Sequence, residues 1–208
     1  MHGQNNPFVA REGIPFLVLV AAVAVLAARY QEWYLMIALS IAFVLLFLLF
    51  RDPHRDVPPV ALGIVSPVDG KIVEVAKTAE CVVQGEAYRI KIRVNAFGAY
   101  TARSPVEGRI MDLQSKLGGV GAGCPANALW VETDEGSSVV LRFLEYRLGL
   151  APRSFVNLGE RLGMGQRCAY IRLARFAEVY LPINGKILVQ EGQTVKAGAD
   201  LIGAVPHP

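Results

Sequence analysis

The chain has 208 residues, of which 53% are hydrophobic and 19% are charged, and its formal net charge is +3. This is more apolar than an ordinary soluble domain, and the lack of any long Lys or Arg run gives no reason to expect nucleic acid as a partner. The three cysteines, Cys81, Cys124 and Cys168, lie far apart without a C-x-x-C pair, so neither a metal site nor a disulfide framework is expected.

Two uncharged apolar segments occupy the N-terminal part of the chain, from Ile14 to Ala28 and from Trp33 to Phe50. Crossing the hydrocarbon core of a bilayer takes about 20 apolar residues, with roughly 17 as the short limit. A cleaved signal peptide is disfavoured because the second segment follows at once, and a pair of buried helices is disfavoured because polar positions are nearly absent. The sequence therefore predicts a hairpin of two transmembrane helices, at about 14–30 and 33–50, within an N-terminal part covering 1–50.

The charges around this hairpin predict its orientation. Arginines flank both outer ends, whereas the connecting turn carries one Arg balanced by one Glu. The positive-inside rule then places both ends on the cytoplasmic side of a bacterial inner membrane, and aromatic residues at the turn suit the far interface. The residues expected at the two membrane surfaces are Arg11, Tyr30, Trp33, Tyr34 and Arg51.

A short linker, residues 51–59, contains three prolines and is expected to be extended. The remainder, 60–208, is predicted to be a cytoplasmic β domain, because β-branched and alternating runs recur between Gly and Pro turns. The predicted strands are Gly70–Val75, Tyr88–Val94, Leu129–Thr133, Ser138–Phe143, Ala169–Leu173, Ala177–Leu181 and Lys186–Val189. The predicted fold class is thus mainly β, behind an N-terminal helical hairpin.

An internal repeat runs through the β domain. Ser66-Pro-Val-Asp-Gly-Lys-Ile-Val recurs as Ser104-Pro-Val-Glu-Gly-Arg-Ile-Met and as Leu181-Pro-Ile-Asn-Gly-Lys-Ile-Leu, each a turn that starts a strand. The last copy continues through Gly192–Gly198 in a manner that resembles the hairpins of biotinyl and lipoyl carrier domains. We therefore predict a β domain of barrel-sandwich-hybrid character. A carrier function itself is disfavoured, because no lysine stands in an attachment tripeptide at a hairpin tip.

The order of motifs along the whole chain resembles the short, membrane-anchored phosphatidylserine and archaetidylserine decarboxylases. The matching motifs are Arg11–Phe16, Phe50–Pro53, Ser66–Gly70, Ala102–Gly108, Val179–Pro182 and Gly192–Gly198. In that family the chain is cut before a serine of a Gly-Ser pair, and the serine becomes a pyruvoyl group that serves as the electron sink for decarboxylation. Formation of this group needs a hydroxyl after the scissile bond and a base beside it.

The residues at the family's catalytic positions differ in this chain. The resemblance aligns the serine with Arg175 and the histidine with Tyr100, whereas Asp69 matches a family catalytic acid. A guanidinium is neither a nucleophile nor a base, so a pyruvoyl group is not expected at Arg175. Asp69 also stands in the repeated turn, where a structural Asx role explains it equally well. No convincing catalytic residue and no cofactor are therefore expected.

One alternative keeps the enzyme active. The pair Ser137 and Ser138 follows Gly136 and could form a relocated cleavage site, although the stretch also fits a hairpin turn. Four arginines could contact anionic headgroups, but scattered arginines more often form a solvated face. They are Arg142, Arg147, Arg153 and Arg161.

Three hypotheses follow. The first is a non-catalytic relative that binds phospholipid or serves as a subunit of a membrane protein complex. The second is an active pyruvoyl-dependent decarboxylase that uses a relocated serine. The third is an adaptor of biotinyl type. The expected partners are the lipid bilayer, an anionic or amino-phospholipid and other membrane-protein subunits, and no metal or nucleic acid is expected.

Overall fold

A computed structural model describes residues 8–30, 33–79, 86–113, 128–146 and 150–205. Three residues considered above lie outside these ranges, namely Cys81, Cys124 and Arg147. The chain divides into two compact units. The first comprises Met1–His54 with Phe97–Tyr100, and the second comprises Arg55–Ala96 with Thr101–Pro208.

The first unit is built on two apolar helices. A 3-10 turn, Arg11–Gly13, leads into α1, Ile14–Arg29, which has a proline in its first turn, and α2 is Trp33–Leu49. Proline suits a helix start because its missing N–H has no partner there in any case. The outer ends are held together by backbone hydrogen bonds, with Ala10 N–H donating to the Phe50 carbonyl at 2.9 Å and Asp52 N–H donating to the Phe8 carbonyl at 2.8 Å.

The helix pair exposes apolar surface on nearly all sides. In α1 only Ala27 is buried, and α2 has no buried residue among its described side chains. A helix that is apolar all round requires an apolar environment. Judged by length and composition alone, Arg11–Arg29 can cross a membrane, with 19 residues and a hydropathy of 1.9, whereas Trp33–Leu49 is shorter.

The second unit is a β domain. Its described strands are β1 Gly63–Val65, β2 Gly70–Thr78, β3 Ala87–Val94, β4 Thr101–Arg103, β5 Gly108–Leu113, β6 Ala128–Glu132, β7 Ser138–Tyr146, β8 Arg153–Ser154, β9 Arg161–Leu162, β10 Arg167–Tyr170, β11 Ala174–Pro182, β12 Lys186–Ile187, β13 Thr194–Val195 and β14 Leu201–Ala204. They form one eight-stranded sheet, in the order β13-β2-β3-β11-β7-β6-β5-β9, and two three-stranded sheets, β1-β14-β12 and β4-β10-β8. The main core lies on one face of the large sheet, where Ile90, Ile92, Leu141 and Val179 are buried, and a smaller cluster of Ala128, Val140 and Tyr180 lies on the other face.

The predicted fold class, mainly β after an N-terminal apolar helix pair, is confirmed. The barrel-sandwich-hybrid character stays a prediction. Several strand limits differ from expectation. The strand predicted to end at Leu173 stops at Tyr170, because Arg172 has a φ of +54° and turns the chain into β11. The strand predicted to end at Phe143 continues to Tyr146, in register with β11.

Candidate functional site

The repeated turns that carry Asp69 are structurally equivalent in two of the three copies. The hydroxyl groups of Ser66 and Ser104 donate to the carbonyls of Val68 and Val106, both at 2.7 Å, and both serines are buried. The third copy has Leu181 in place of the serine and no hydroxyl to donate. It forms a different turn at the end of β11, where Gly185 N–H donates to the Pro182 carbonyl.

Each of the two equivalent turns has its own partner hairpin. Gly192 N–H donates to the Ile72 carbonyl and Gly159 N–H donates to the Ile110 carbonyl, at 2.8 and 2.9 Å. These glycines have φ of +86° and +78°, and the hairpins end at Gly198 and Gly165, with φ of +70° and +72°. The two three-stranded sheets repeat in the same way, because β1, β14 and β12 of one sheet correspond to β4, β10 and β8 of the other. The hairpin at Gly159–Gly165 was not predicted from the sequence, although its two glycines have the same spacing as Gly192 and Gly198.

The two copies differ in the turn carboxylate. Asp69 is buried, and its Oδ1 accepts a hydrogen bond of 2.7 Å from the backbone N–H of Ala197, while its Oδ2 pairs with Arg55 at 3.1 Å. Its counterpart Glu107 is exposed and pairs with Arg161 at 3.2 Å. Asp69 therefore joins its turn to the hairpin that precedes β14 and to the linker.

The residue at the family's histidine position belongs to the helical unit. The Tyr100 hydroxyl donates to Glu12 at 3.1 Å, its ring lies 4.8 Å from the Phe50 ring, and its N–H donates to the Arg51 carbonyl at 3.0 Å. Tyr100 is buried. Its phenol serves here as a hydrogen-bond donor that fastens the Phe97–Tyr100 segment to the start of the helices.

The residue at the family's serine position lies at the start of β11. Arg175 is exposed and its Nη1 lies 3.5 Å from Glu145, while the preceding residue, Ala174, pairs with Tyr146 of β7. No hydroxyl is available at this position, so the residues present do not fit a pyruvoyl group here.

The alternative pair lies in the hairpin between β6 and β7. Ser137 N–H donates to Thr133 Oγ1 at 3.2 Å, Gly136 has a φ of +76°, and Ser138 pairs with Glu132 in the ladder. A cavity of about 360 Å³ adjoins this turn. Its lining includes Leu62, Val106, Glu107, Thr133, Asp134 and Met164.

The residues expected at the membrane surfaces lie at the two ends of the helix pair. Tyr30, Trp33 and Tyr34 are exposed by 78%, 58% and 69% next to the connection between α1 and α2, and the rings of Trp33 and Tyr34 are 3.5 Å apart. Arg11 begins the 3-10 turn, and Arg51 pairs with Val9 in an isolated β-bridge.

The arginines considered as headgroup contacts have different surroundings. Arg161 lies between Glu107 and Asp134, which together raise the pKa of its guanidinium. Arg142 lies 3.5 Å from the buried Glu178, and Arg153 is exposed on β8. Within the described ranges, no group of three or more His, Cys, Asp or Glu side chains could hold a metal ion.

The fold and these motifs define a mainly β protein with an apolar N-terminal helix pair, and comparison with known proteins identifies its family. The phosphatidylserine decarboxylase proenzyme of Nitrosomonas europaea is 35% identical over 202 residues, which cover 92% of this chain and 93% of the relative. That of Nitrosomonas eutropha is 33% identical, with the same coverage, and that of a Burkholderia mallei strain is 30% identical over 97% of both chains. The chain belongs to the phosphatidylserine decarboxylase family.

No family model matches the chain. The solved glucose permease IIA of Mycoplasma capricolum superposes with a TM-score of 0.47 at 17% identity, over 68% of this chain and 94% of its own. A likeness of this size does not define the fold.

The relatives correct three expectations. A proenzyme is the precursor of an active enzyme, so the expectations of a non-catalytic chain, of no enzyme activity and of no pyruvoyl group are wrong. The expected role as a subunit of a larger complex depended on the first of these and has no support. These expectations arose because the sequence reading gave more weight to Arg175 and Tyr100 than to the likeness over the whole chain.

Proposed function

We propose that this chain is a phosphatidylserine decarboxylase that acts at the surface of a membrane. The observation that carries the proposal is the likeness to the Nitrosomonas proenzymes over 92% of the chain. In the reaction, the bond between the α-carbon and the carboxylate of the serine headgroup breaks, carbon dioxide leaves, and a proton takes its place. The product is the corresponding ethanolamine phospholipid.

The buried turn around Asp69 supports this proposal. Asp69 is the carboxylate retained at a family catalytic position, and its two oxygens are oriented by Ala197 N–H and Arg55. A side chain held at two points keeps a fixed geometry, which general acid–base chemistry requires. Glu107, at the equivalent position of the second copy, is exposed, and no backbone N–H among the described residues donates to it.

The serine that is cut is proposed to lie away from Arg175. Ser137 and Ser138 are the candidates because Gly136-Ser137 reproduces the Gly-Ser order, and the turn contains Asp134 and Glu135 as carboxylates. Gly136 holds a left-handed backbone conformation, with a φ of +76°, immediately before the bond that cleavage would break.

The helix pair is proposed to anchor the enzyme in a bacterial inner membrane, with the linker 51–59 and the β domain from residue 60 on the cytoplasmic side. Arg11, Arg51 and Arg55 at the outer ends support this orientation. A green fluorescent protein fused after residue 208 is expected to fluoresce, and an alkaline phosphatase fused there is expected to be inactive. The reverse pair of results would contradict the orientation.

The decisive experiment measures carbon dioxide release from phosphatidylserine labelled in the serine carboxylate, using the full chain in mixed micelles. We expect release above that of heat-treated protein. Asp69→Asn is expected to lower the rate at least tenfold, while Glu107→Gln, the same change in the second copy, leaves it unaltered. The absence of release from fully folded protein would refute the proposed activity.

Mass spectrometry of the same preparation tests the candidate serines. Cleavage at Gly136-Ser137 produces two chains, one with a carbonyl at its N-terminus that borohydride reduces. Ser137→Ala is expected to prevent the cut, whereas Ser40→Ala, a serine in α2, leaves it intact. An intact, single chain in an active preparation would exclude both Ser137 and Ser138.

A further inference from the structure

The large sheet has an outer face that is cationic. Ile90 and Ile92 of β3 are buried in the core, so Lys91 and Arg93 project from the opposite side. Phe176 of β11 pairs with Arg93, and Glu178 pairs with Lys91 on one side and with Arg142 of β7 on the other. Cross-strand neighbours of this kind lie close enough to interact.

Three cations surround a single aromatic ring on this face. Lys91 Nζ lies 4.9 Å from the centre of the Phe176 ring, and the guanidinium carbons of Arg93 and Arg175 each lie 5.9 Å from it. Such distances are those of cation–π contacts, which leave the charged groups available to solvent anions. We call Lys91, Arg93, Arg142, Arg175 and Phe176 the cationic face.

The carboxylates nearby neutralise only part of this charge. Glu178 is buried and lies 3.9 Å from Lys91 and 3.5 Å from Arg142, and Glu145 lies 3.5 Å from Arg175. Arg93 makes no ion pair with the described residues. Glu74 of β2 is the other cross-strand neighbour of Lys91 and lies 2.8 Å from Arg89. Among the described residues of β2, β3, β7 and β11, the cations on this face still outnumber the carboxylates Glu74, Glu145 and Glu178, so the cationic face retains a positive excess. These cations are Lys71, Arg89, Lys91, Arg93, Arg142 and Arg175.

We propose that the cationic face binds the headgroups of anionic phospholipids at the membrane surface. A sheet face is broad enough to contact several headgroups. Each Lys or Arg near the surface of a bilayer raises the binding constant for anionic lipids by about a factor of five. Phe176 adds an apolar ring of the kind that suits the interface between headgroups and acyl chains. The inference rests on the proposed function only in requiring that the chain works at a phospholipid bilayer.

Arg175 lies at the start of β11. At this point, where the family carries its serine, this chain has a cation that belongs to the cationic face. We infer that the start of β11 contributes to membrane binding here and that the reacting group lies elsewhere.

Lipid retention by the full chain tests the proposal. The protein, purified in a neutral detergent, is incubated with equal amounts of phosphatidylglycerol and phosphatidylcholine, and native mass spectrometry counts the lipids that stay bound. We expect preferential retention of phosphatidylglycerol, which decreases as the salt concentration rises. The combined variant Lys91→Gln, Arg93→Gln, Arg175→Gln is expected to reduce that preference at least tenfold.

A matched control removes three exposed cations from other parts of the β domain, with Arg153→Gln, Lys186→Gln and Lys196→Gln. This variant is expected to keep the preference. The charge-conserving variant Lys91→Arg, Arg93→Lys, Arg175→Lys is also expected to keep it, which separates a role of charge from a role in packing. Circular dichroism checks that each variant is folded.

Equal retention of phosphatidylglycerol by the parent chain and the Gln variant would overturn the proposal, as would equal retention of the two lipids by the parent chain. The assay reads binding and not turnover. An inactive protein that retains phosphatidylglycerol through the cationic face would therefore refute the decarboxylase proposal alone.

Discussion

The Asp69 carboxylate accepts a hydrogen bond of 2.7 Å from the backbone N–H of Ala197, which lies 128 residues further along the chain. The bond joins the first repeated turn to the last hairpin of the β domain. The second copy of the turn has no described equivalent, because Glu107 reaches out to Arg161 at the surface. The internal duplication therefore provides a built-in control for the role of Asp69.

Replacing Asp69 with Ala is expected to lower the free energy of unfolding by about 1–3 kcal/mol, because the buried N–H of Ala197 loses its acceptor. Asp69→Asn keeps an oxygen for that N–H and loses the charge opposite Arg55, so its cost should be smaller. Thermal unfolding in detergent measures both.

The matched control for this prediction is Glu107→Ala. Its ion pair is solvent-exposed, with both side chains more than half accessible, and pairs of this kind contribute about 0–1 kcal/mol. If Glu107→Ala and Asp69→Ala lowered the melting temperature equally, the buried hydrogen bond would not be what distinguishes the two copies.

Gly198→Ala is expected to destabilise the β domain more than Gly136→Ala does. Both glycines have a left-handed backbone, with φ of +70° and +76°, so both changes incur about 1–2 kcal/mol of backbone strain. A Cβ on Gly198 would also lie 2.5 Å from Cδ of the buried Arg103, whereas a Cβ on Gly136 meets nothing within 4 Å.

Overpacking of this kind adds about 1–3 kcal/mol. For a chain of this length each kcal/mol shifts the melting temperature by roughly 2–4 °C, so the difference between the two variants is measurable by differential scanning fluorimetry. Equal shifts would show that Arg103 moves aside at no cost.

Much of this fold follows from local sequence patterns. The apolar runs specify α1 and α2 because no charged side chain interrupts them, and the alternation in β3 specifies which of its faces is buried, whereas β11 is buried on both faces from Ala177 to Leu181. The Ser-Pro turns were recognisable because a serine hydroxyl in that position closes the turn locally. These features depend on neighbours in the chain.

Features that depend on distant neighbours were not predictable. The two-residue strands β8, β9, β12 and β13 exist only because longer strands pair with them. The placement of Tyr100 on the helical unit depends on contacts with Glu12, which lies 88 residues earlier in the sequence, and with Phe50, which is also distant along the chain. The likeness over the whole chain, and not any single catalytic position, determined the family.

The thiol of Cys168 is expected to be unreactive in the folded protein. It is fully buried, and burial raises the pKa of the thiol to about 12. In a Cys81→Ser, Cys124→Ser background, iodoacetamide at pH 8 should modify Cys168 only after unfolding.

The raised pKa of Cys168 also makes the stability of the fold depend on pH. The unfolded thiol ionises near its ordinary pKa of about 8.5 and the folded one does not, so this contribution is complete below that pH and decreases as the pH rises toward about 12.

Rapid modification of Cys168 under native conditions would contradict this prediction. The Cys168→Ala variant provides the control for the pH dependence, because it removes the titrating group. Its melting temperature should change less between pH 8.5 and pH 11 than that of the parent. Parallel curves for the two proteins would show that the thiol ionises equally in both states.

Glu178 and Arg142 are expected to be coupled energetically. Glu178 Oε2 accepts a hydrogen bond of 2.9 Å from the Tyr180 hydroxyl and lies 3.5 Å from Arg142, and its side chain is only 3% exposed. Glu178→Leu leaves Arg142 partly buried opposite an apolar residue, which should cost about 3 kcal/mol or more. Adding Arg142→Leu should recover a large part of that loss, because breaking one side of a buried pair is worse than replacing both.

A double-mutant cycle of melting temperatures measures the coupling, with Glu145→Leu and Arg175→Leu as the exposed pair for comparison. The prediction would be contradicted if the effects at Glu178 and Arg142 were additive, with a coupling energy no larger than that of the exposed pair. Solvent would then screen the buried carboxylate as well as it screens the surface one.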